Sequence, residues 1–302
     1  MLSSTIVLCV LASSAAQATP LSPGEYRRSL TIAETNRTYR VYVPRGYDAT
    51  RPTPVVLVFH GAASNARQMM HFTGLNAKAD EAGFLAVYPN GTGLVPTWNA
   101  GSCCGPAQRN GVDDVAFVSS VLDDLALVAA IDPKRVFATG ISNGGMFCYR
   151  LASELSGRIA AIAPVAGGMS QAECHPQRPV SVLHFHGTSD DFVPYAGGRG
   201  TKTFGLRFQS VEQSVAAWRR ADGCPDLPTV TELPDKTDDG STVTRTTYPP
   251  GKDGAEVVLF TIKGGGHTWP GGNLNIGFLG TTNEDISAND LMWAFFQKHP
   301  MH

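Results

Sequence analysis

A serine flanked by glycines, Gly140-Ile141-Ser142-Asn143-Gly144, is the first place in this sequence where residue types and spacing could do chemistry. It follows the run Arg135-Val136-Phe137-Ala138-Thr139 and leads into a segment of helical pattern. That setting reads as a nucleophile elbow, in which glycines allow a sharp strand-to-helix turn that lifts the serine oxygen off a sheet with a helix N-terminus behind it. A hydroxyl held there is placed to attack a carbonyl. With 32 Gly among 302 residues, the pattern alone arises by chance roughly 0.2 times per chain, so the flanking elements must carry the reading.

A nucleophilic serine needs a base to take its proton and an acid to orient that base. After such an elbow the expected chain order is serine, acid, histidine, each partner on a loop that follows a core strand. The apolar stretch 180–186 runs into Gly187-Thr188-Ser189-Asp190-Asp191, which makes Asp190 the expected acid and Asp191 its competitor. His267, in Gly264-Gly265-Gly266-His267-Thr268-Trp269-Pro270 after another apolar stretch, is the expected base. His60, His71, His175, His184 and His186 precede the acid, and His299 and His302 lie in the tail. His184 and His186 share one side of a strand; two ligands are too few for a metal site, and core packing is expected for them. For the oxyanion of a tetrahedral intermediate, the expected donors are the backbone N–H groups of Asn143 and of Ala62, the latter in the turn His60-Gly61-Ala62-Ala63-Ser64. No metal or other cofactor is implied.

These residues need a scaffold, and the order of elements supplies one. Residues 54–59 and 84–88 are continuously apolar, as strands covered on both faces are, with a helix-length segment at 68–81 between them. The alternation continues through a helix at 113–130, the strand before Ser142, a helix at 144–155, strands at 159–165 and 180–186, and a helix at 208–221. Residues 37–43 alternate polar and apolar, which predicts an antiparallel edge, and 229–263 reads as a hairpin-like end to the sheet, with a last amphipathic helix at 286–296. The expected fold class is α/β: a mostly parallel central sheet with helices on both faces and an antiparallel N-terminal edge. Loops 90–111 and 194–205 are the expected walls of a binding cleft.

Composition narrows the classes of partner. A formal charge of -2, with no long basic run, argues against nucleic acid or an anionic membrane surface as the main partner. Residues 1–18 hold an apolar run from Thr5 to Ala12 and end Ala16-Gln17-Ala18, which reads as a secretory signal with an A-x-A cleavage site, although no Lys or Arg precedes the run. The expected organisation is therefore a signal peptide, 1–18, and one catalytic domain, 19–302, secreted and without stable membrane insertion. The five remaining cysteines allow two disulfides and one odd thiol. The expected pairs are Cys174 with Cys224, and Cys103 or Cys104 with Cys148, adjacent cysteines seldom bridging each other. Buried reduced thiols are the alternative.

With these residues in place, the chain resembles the secreted polyhydroxybutyrate depolymerase and feruloyl esterase group of carbohydrate esterase family one, within the α/β-hydrolase superfamily. The resemblance rests on His60-Gly61, Trp98-Asn99 with Cys103-Cys104-Gly105, Val112-Asp113-Asp114-Val115, Ile141-Ser142-Asn143-Gly144-Gly145-Met146 and Gly266-His267-Thr268-Trp269-Pro270-Gly271-Gly272. It implies that Ser142, Asp190 and His267 form the triad and that Trp269 lies beside the acyl or aromatic part of a bound ester. Asp190 is preferred to Asp191 because its place four residues after His186 matches the HGxxDxxVP arrangement of such hydrolases. Trp98 is a candidate for the same cleft, with packing inside its loop as the alternative. The implied activity is hydrolysis of hydroxyalkanoate esters or of feruloyl and acetyl esters of plant cell walls. An inactive binding protein, or a lipase or peptidase on the same fold, is the alternative. Two departures bear on this. Members that attack solid polyester commonly carry a further binding domain, which this sequence lacks after His302, and the helix cysteine of many relatives lies where this chain has Ala152 and Ser153.

Overall fold

The computed structural model describes residues 19–302 except Ala172 and Phe204, so the expected signal segment lies outside the described residues. The chain begins with a hairpin, β1 (Gly24–Ile32) and β2 (Thr35–Val43), closed by Ala33 and Glu34, both at positive φ. Then come β3 (Thr53–Phe59), α1 (Ala66–Thr73), α2 (Leu75–Ala82), β4 (Leu85–Pro89), α3 (Gly105–Arg109), α4 (Asp114–Val128) and β5 (Ile131–Ile141). The second half holds α5 (Asn143–Glu154), β6 (Ala161–Val165), β7 (Ser181–Gly187), a small pair β8 (Gly198–Arg199) and β9 (Arg207–Phe208), and α6 (Val211–Asp222). It closes with β10 (Thr229–Glu232), β11 (Thr242–Tyr248), β12 (Val257–Lys263) and α7 (Ala288–Phe296).

Ten strands form one sheet in the order β1-β2-β4-β3-β5-β6-β7-β12-β11-β10. Pairing is parallel from β4 through β12 and antiparallel at both margins, the arrangement expected from the apolar runs and the two amphipathic ends. The period-two geometry of a strand sorts the core. On β3, Val55, Leu57 and Phe59 join a cluster with Phe117, Leu122, Phe147 and Trp218 of α4, α5 and α6. Val56 and Val58 point the other way, into a cluster with Met69, Leu75, Met292 and Phe296 of α1, α2 and α7. Helices therefore cover both faces, and the loops at the carboxyl ends of β3, β5, β7 and β12 gather at one edge.

Two expectations are revised. The helix read over 68–81 is divided at Gly74, whose φ of 63° ends α1 and starts α2. Cys103 and Cys104 are joined to each other, while Cys148, Cys174 and Cys224 are thiols. The Cys174 thiol faces the Ala217 carbonyl and the Cys224 thiol the Ala255 carbonyl, so the two are held against different segments and do not pair. Among the described residues, no helix is long and apolar enough to cross a membrane.

Candidate active site

Strand β5 delivers Ser142 to the carboxyl edge of the sheet, and α5 leaves directly from Asn143. The strain of this turn falls on the serine itself, at φ 58° and ψ −126°, a conformation that typically costs about 1–3 kcal/mol in a residue bearing a side chain. The glycines of the motif have a different role from the one expected: neither Gly140 nor Gly144 has a positive φ. They permit close approach. A Cβ on Gly144 would lie 2.3 Å from the Phe59 carbonyl oxygen and 2.7 Å from that of His60, and one on Gly140 would lie 2.6 Å from Phe59 O. The elbow thus sits against the end of β3, where Gly61 packs beside the Ser142 Cβ.

The expected acid and base, Asp190 and His267, follow neighbouring strands, β7 and β12. The loops after β7 and β12 are laced by their main chains, with Ser189 N–H donating to the Gly265 carbonyl at 2.9 Å and Thr188 N–H to that of Ile262 at 2.9 Å. Asp190 Oδ1 accepts the N–H groups of Phe192 (2.8 Å) and Val193 (2.9 Å), while Oδ2 accepts Nδ1–H of His267 at 2.7 Å. Both residues are buried, Asp190 at 4% exposure and His267 at 5%. Burial alone would raise the Asp190 pKa, but hydrogen bonds from His186 and His267 hold it well below the usual carboxylate range. The Asp191 carboxylate instead faces solvent and Lys202. The Phe192 ring stacks on the His267 imidazole at 4.8 Å between centroids.

Asp190 and His267 are therefore joined, whereas Ser142 Oγ makes no hydrogen bond to His267. The expected oxyanion donors are the main-chain N–H of Asn143, in the first turn of α5, where helix geometry provides no partner, and that of Ala62. In the turn after β3, the Ala63 N–H is committed to the Pro96 carbonyl at 3.0 Å, and the exposed Ala62 carries no such bond among the described residues. His60 fixes this turn: its Nδ1–H donates to the Gly61 carbonyl at 2.7 Å and its Nε2 accepts Gly91 N–H at 2.9 Å. Burial pushes its pKa down to about 4, which keeps the ring neutral at physiological pH.

Of the two tryptophans, Trp98 takes the packing role given as its alternative, and Trp269 is buried in the core. Trp98 is fully buried, its ring stacked on Phe147 at 5.2 Å and its Nε1–H donated to the His60 carbonyl at 2.9 Å. Trp269, 1% exposed, donates Nε1–H to Asn289 Oδ1 at 3.0 Å inside the α1–α7 face of the core. Each satisfies its one polar atom internally, so neither presents a face to a ligand. A hollow of about 260 Å³ reaches α5 at Met146 and is lined also by Met169, Val193, Arg207, Phe208 and Gln213; Ser142 and His267 are not part of its wall. Asn143, expected for its backbone N–H, also uses its side chain, a role the sequence reading did not assign. The Asn143 side chain accepts Trp98 N–H at 2.7 Å and donates to the Trp98 carbonyl at 2.9 Å, clamping loop 90–111 to the elbow. An amide following the nucleophile was the only available signal for this.

The sheet order, the two helical layers and the loops gathered at the carboxyl edge define an α/β-hydrolase fold. By its match over residues 37–194, the chain belongs to the Esterase PHB depolymerase family and is an ester hydrolase. It is 33% identical over 276 residues to NocK of Nocardia uniformis subsp. tsuyamanensis, a protein named as an esterase, covering 87% of this chain and 80% of that one. Feruloyl esterase B of Piromyces equi is 29% identical over 248 residues, 79% of this chain but 44% of the relative. A bifunctional acetylxylan esterase/xylanase of Neocallimastix patriciarum is 30% identical over 233 residues, 77% of this chain and 31% of the relative. The chain thus spans less than half the length of these two fungal proteins. Among solved structures, an acetyl xylan esterase from Aspergillus awamori shares the fold with TM-score 0.61 at 16% identity, covering 90% of this chain and 99% of that one. A ferulic acid esterase from Anaeromyces mucronatus does so with TM-score 0.56 at 16% identity, covering 92% and 90%.

Proposed function

We propose that this ester hydrolase is a serine carboxylesterase in which residues 19–302 act as one catalytic domain. Ser142 Oγ bonds to the ester carbonyl carbon as its proton passes to His267 Nε2, and Asp190 holds the imidazole by Nδ1 and stabilises the imidazolium. The N–H groups of Ala62 and Asn143 receive the oxyanion. The alcohol departs with the proton from His267, leaving an acyl-enzyme that water cleaves by the same steps in reverse. The observation that carries this reading is the buried Asp190–His267 hydrogen bond of 2.7 Å, set at the same sheet edge as the strained Ser142. The open Ser142–His267 contact is compatible with it, because catalytic hydrogen bonds of unliganded sites commonly tighten only with substrate.

The substrate is a hydroxyalkanoate ester of the polyhydroxybutyrate type, or a feruloyl or acetyl ester of plant cell walls; the names of the relatives support both classes. The hollow lined by Met146, Met169, Phe208 and Arg207 suits an acyl group with an apolar body and a polar end. Residues 1–18 act as an export signal, so protein recovered from the medium of a secreting host should begin at Thr19. Product analysis on p-nitrophenyl butyrate, methyl ferulate, acetylated xylan and 3-hydroxybutyrate oligomers tests the assignment. Turnover of at least one, abolished in Ser142→Ala, is expected; a native protein that binds these molecules and turns over none would overturn it.

A further inference from the structure

Behind Asp190, three buried polar side chains that the ester chemistry does not use form a continuous line. Tyr149 of α5 and His184 and His186 of β7 are 0%, 0% and 1% exposed. Tyr149 OH lies 2.9 Å from His184 Nδ1, His184 Nε2 lies 3.0 Å from His186 Nδ1, and His186 Nε2 lies 2.8 Å from the Val193 carbonyl oxygen. The same His186 Nε2 is 3.4 Å from Asp190 Oδ2. A carbonyl oxygen only accepts, so His186 must carry its proton on Nε2. With one proton per ring, His186 Nδ1 then accepts from His184 Nε2–H, and His184 Nδ1 accepts from the Tyr149 hydroxyl. Burial, and then the neighbouring His186, push the His184 pKa well below that of a free imidazole, in keeping with a ring that carries a single proton.

We propose that Tyr149, His184 and His186 form a one-directional hydrogen-bonded relay that positions the Asp190 carboxylate for His267. The proposal rests on the Ser142–His267–Asp190 reading above. Its anchor is Val193, which is held twice: its N–H donates to Asp190 Oδ1 at 2.9 Å and its carbonyl accepts from His186 at 2.8 Å. His186 thereby fixes the turn that carries the acid and places a second N–H beside the oxygen that His267 uses. His184 and Tyr149 set which nitrogen of His186 bears the proton. The His184 and His186 rings lie nearly parallel at 5.3 Å, so neither can flip without breaking the line. His184, Asp190 and Tyr195, whose ring meets His186 edge-on at 5.9 Å, are the titratable groups against the His186 ring.

In this scheme the three are positioning residues, and their loss lowers kcat rather than raising KM. The test compares His186→Leu, His186→Gln, Tyr149→Phe and, as a control for core damage, Cys148→Ala, a buried neighbour outside the line. Rates are normalised to folded protein by circular dichroism, with p-nitrophenyl butyrate as substrate. His186→Leu should lose about 10- to 100-fold in kcat at near-constant KM, as expected for a slightly misplaced catalytic group. Its kcat/KM profile should also shift its acid limb upward, because a carboxylate relieved of one donor favours the imidazolium more strongly. His186→Gln, whose amide can donate from the Nε2 position, should restore most of kcat, and Tyr149→Phe should lose about two- to fivefold, since neutral hydrogen bonds contribute modestly. Should His186→Leu not fold, Tyr149→Phe decides. Wild-type kcat in His186→Leu or, failing that variant, in Tyr149→Phe, or an equal loss in Cys148→Ala, would overturn the relay. Activity retained in Ser142→Ala would instead bring down the triad reading, and the relay with it.

Discussion

Around Ser142 the closest contacts are main chain against main chain, whereas Asp190 and His267 are joined by a side-chain hydrogen bond that backbone donors support. On the nucleophile side, the Gly140 and Gly144 positions lie so near the Phe59 and His60 carbonyls that one added carbon would collide. On the acid–base side, Asp190 receives two backbone donors and one imidazole, with a second imidazole behind it. The first half is intolerant of added atoms and the second of lost ones. This division explains why the elbow can keep a strained serine while the acid–base pair stays oriented within a buried polar network.

The comparison can be broken most sharply at Asp190. Asp190→Asn adds no bulk but removes the charge and upsets the tautomer of His267; kcat per folded molecule should fall by about 10⁴-fold, and stability at pH 7 should fall too, because a carboxylate held well below its usual range favours the folded state. Near-wild-type kcat in the folded fraction would mean that the carboxylate serves the fold alone. On the other half, Gly144→Ala should destabilise the protein by about 3 kcal/mol, because the methyl meets backbone oxygens that cannot move aside. Urea unfolding measures this, and a stability within about 0.5 kcal/mol of wild type would show that the elbow has room.

Smaller effects are expected away from the reacting atoms. Trp269→Phe should cost about 2 kcal/mol by stranding Asn289 Oδ1, while leaving the relative rates on methyl ferulate and p-nitrophenyl acetate unchanged. A selective loss on the aromatic ester would return Trp269 to the cleft. The smallest effect concerns pH. Folded His60 stays neutral down to about 4 whereas an unfolded histidine takes a proton near 6.5, so its contribution to stability is present above 6.5 and is lost as pH falls towards 4. This amounts to about 1 kcal/mol per pH unit between 6 and 5. Asp222, pushed up to about 7 by burial, acts in the opposite sense throughout that range. The slope is therefore read as the difference between wild type and His60→Gln in urea titrations, and equal slopes would contradict the His60 assignment.

Much of this was legible in the residues themselves. Continuous apolar runs such as 54–59 and 84–88 announced strands covered on both faces, and glycine-rich turns after such runs marked Ser142, Asp190 and His267. Strand β1 was overlooked because its sequence, Gly-Glu-Tyr-Arg-Arg-Ser-Leu-Thr-Ile, pairs at an edge where only every second residue is partly covered. The tryptophans misled for a different reason: an indole beside a catalytic motif suggests a ligand, but its ring and Nε1 can equally be satisfied by the core, as His60 O and Asn289 satisfy them here. Cysteine pairing depends on where loops bring sulfur atoms, which spacing does not encode. The shared face of His184 and His186 followed from strand alternation, but the direction of their hydrogen bonds depends on the Val193 carbonyl, a tertiary detail.

The central claim, that Ser142 is a nucleophile activated by His267 and Asp190, is tested most directly by covalent trapping. The protein is incubated with a fluorophosphonate ester and digested, and the modified peptide is sequenced by mass spectrometry. A single adduct on Ser142 is predicted, absent in Ser142→Ala and formed at least about 100-fold more slowly in His267→Ala, whose serine lacks its base. An adduct on another residue, or undiminished labelling without His267, would contradict it.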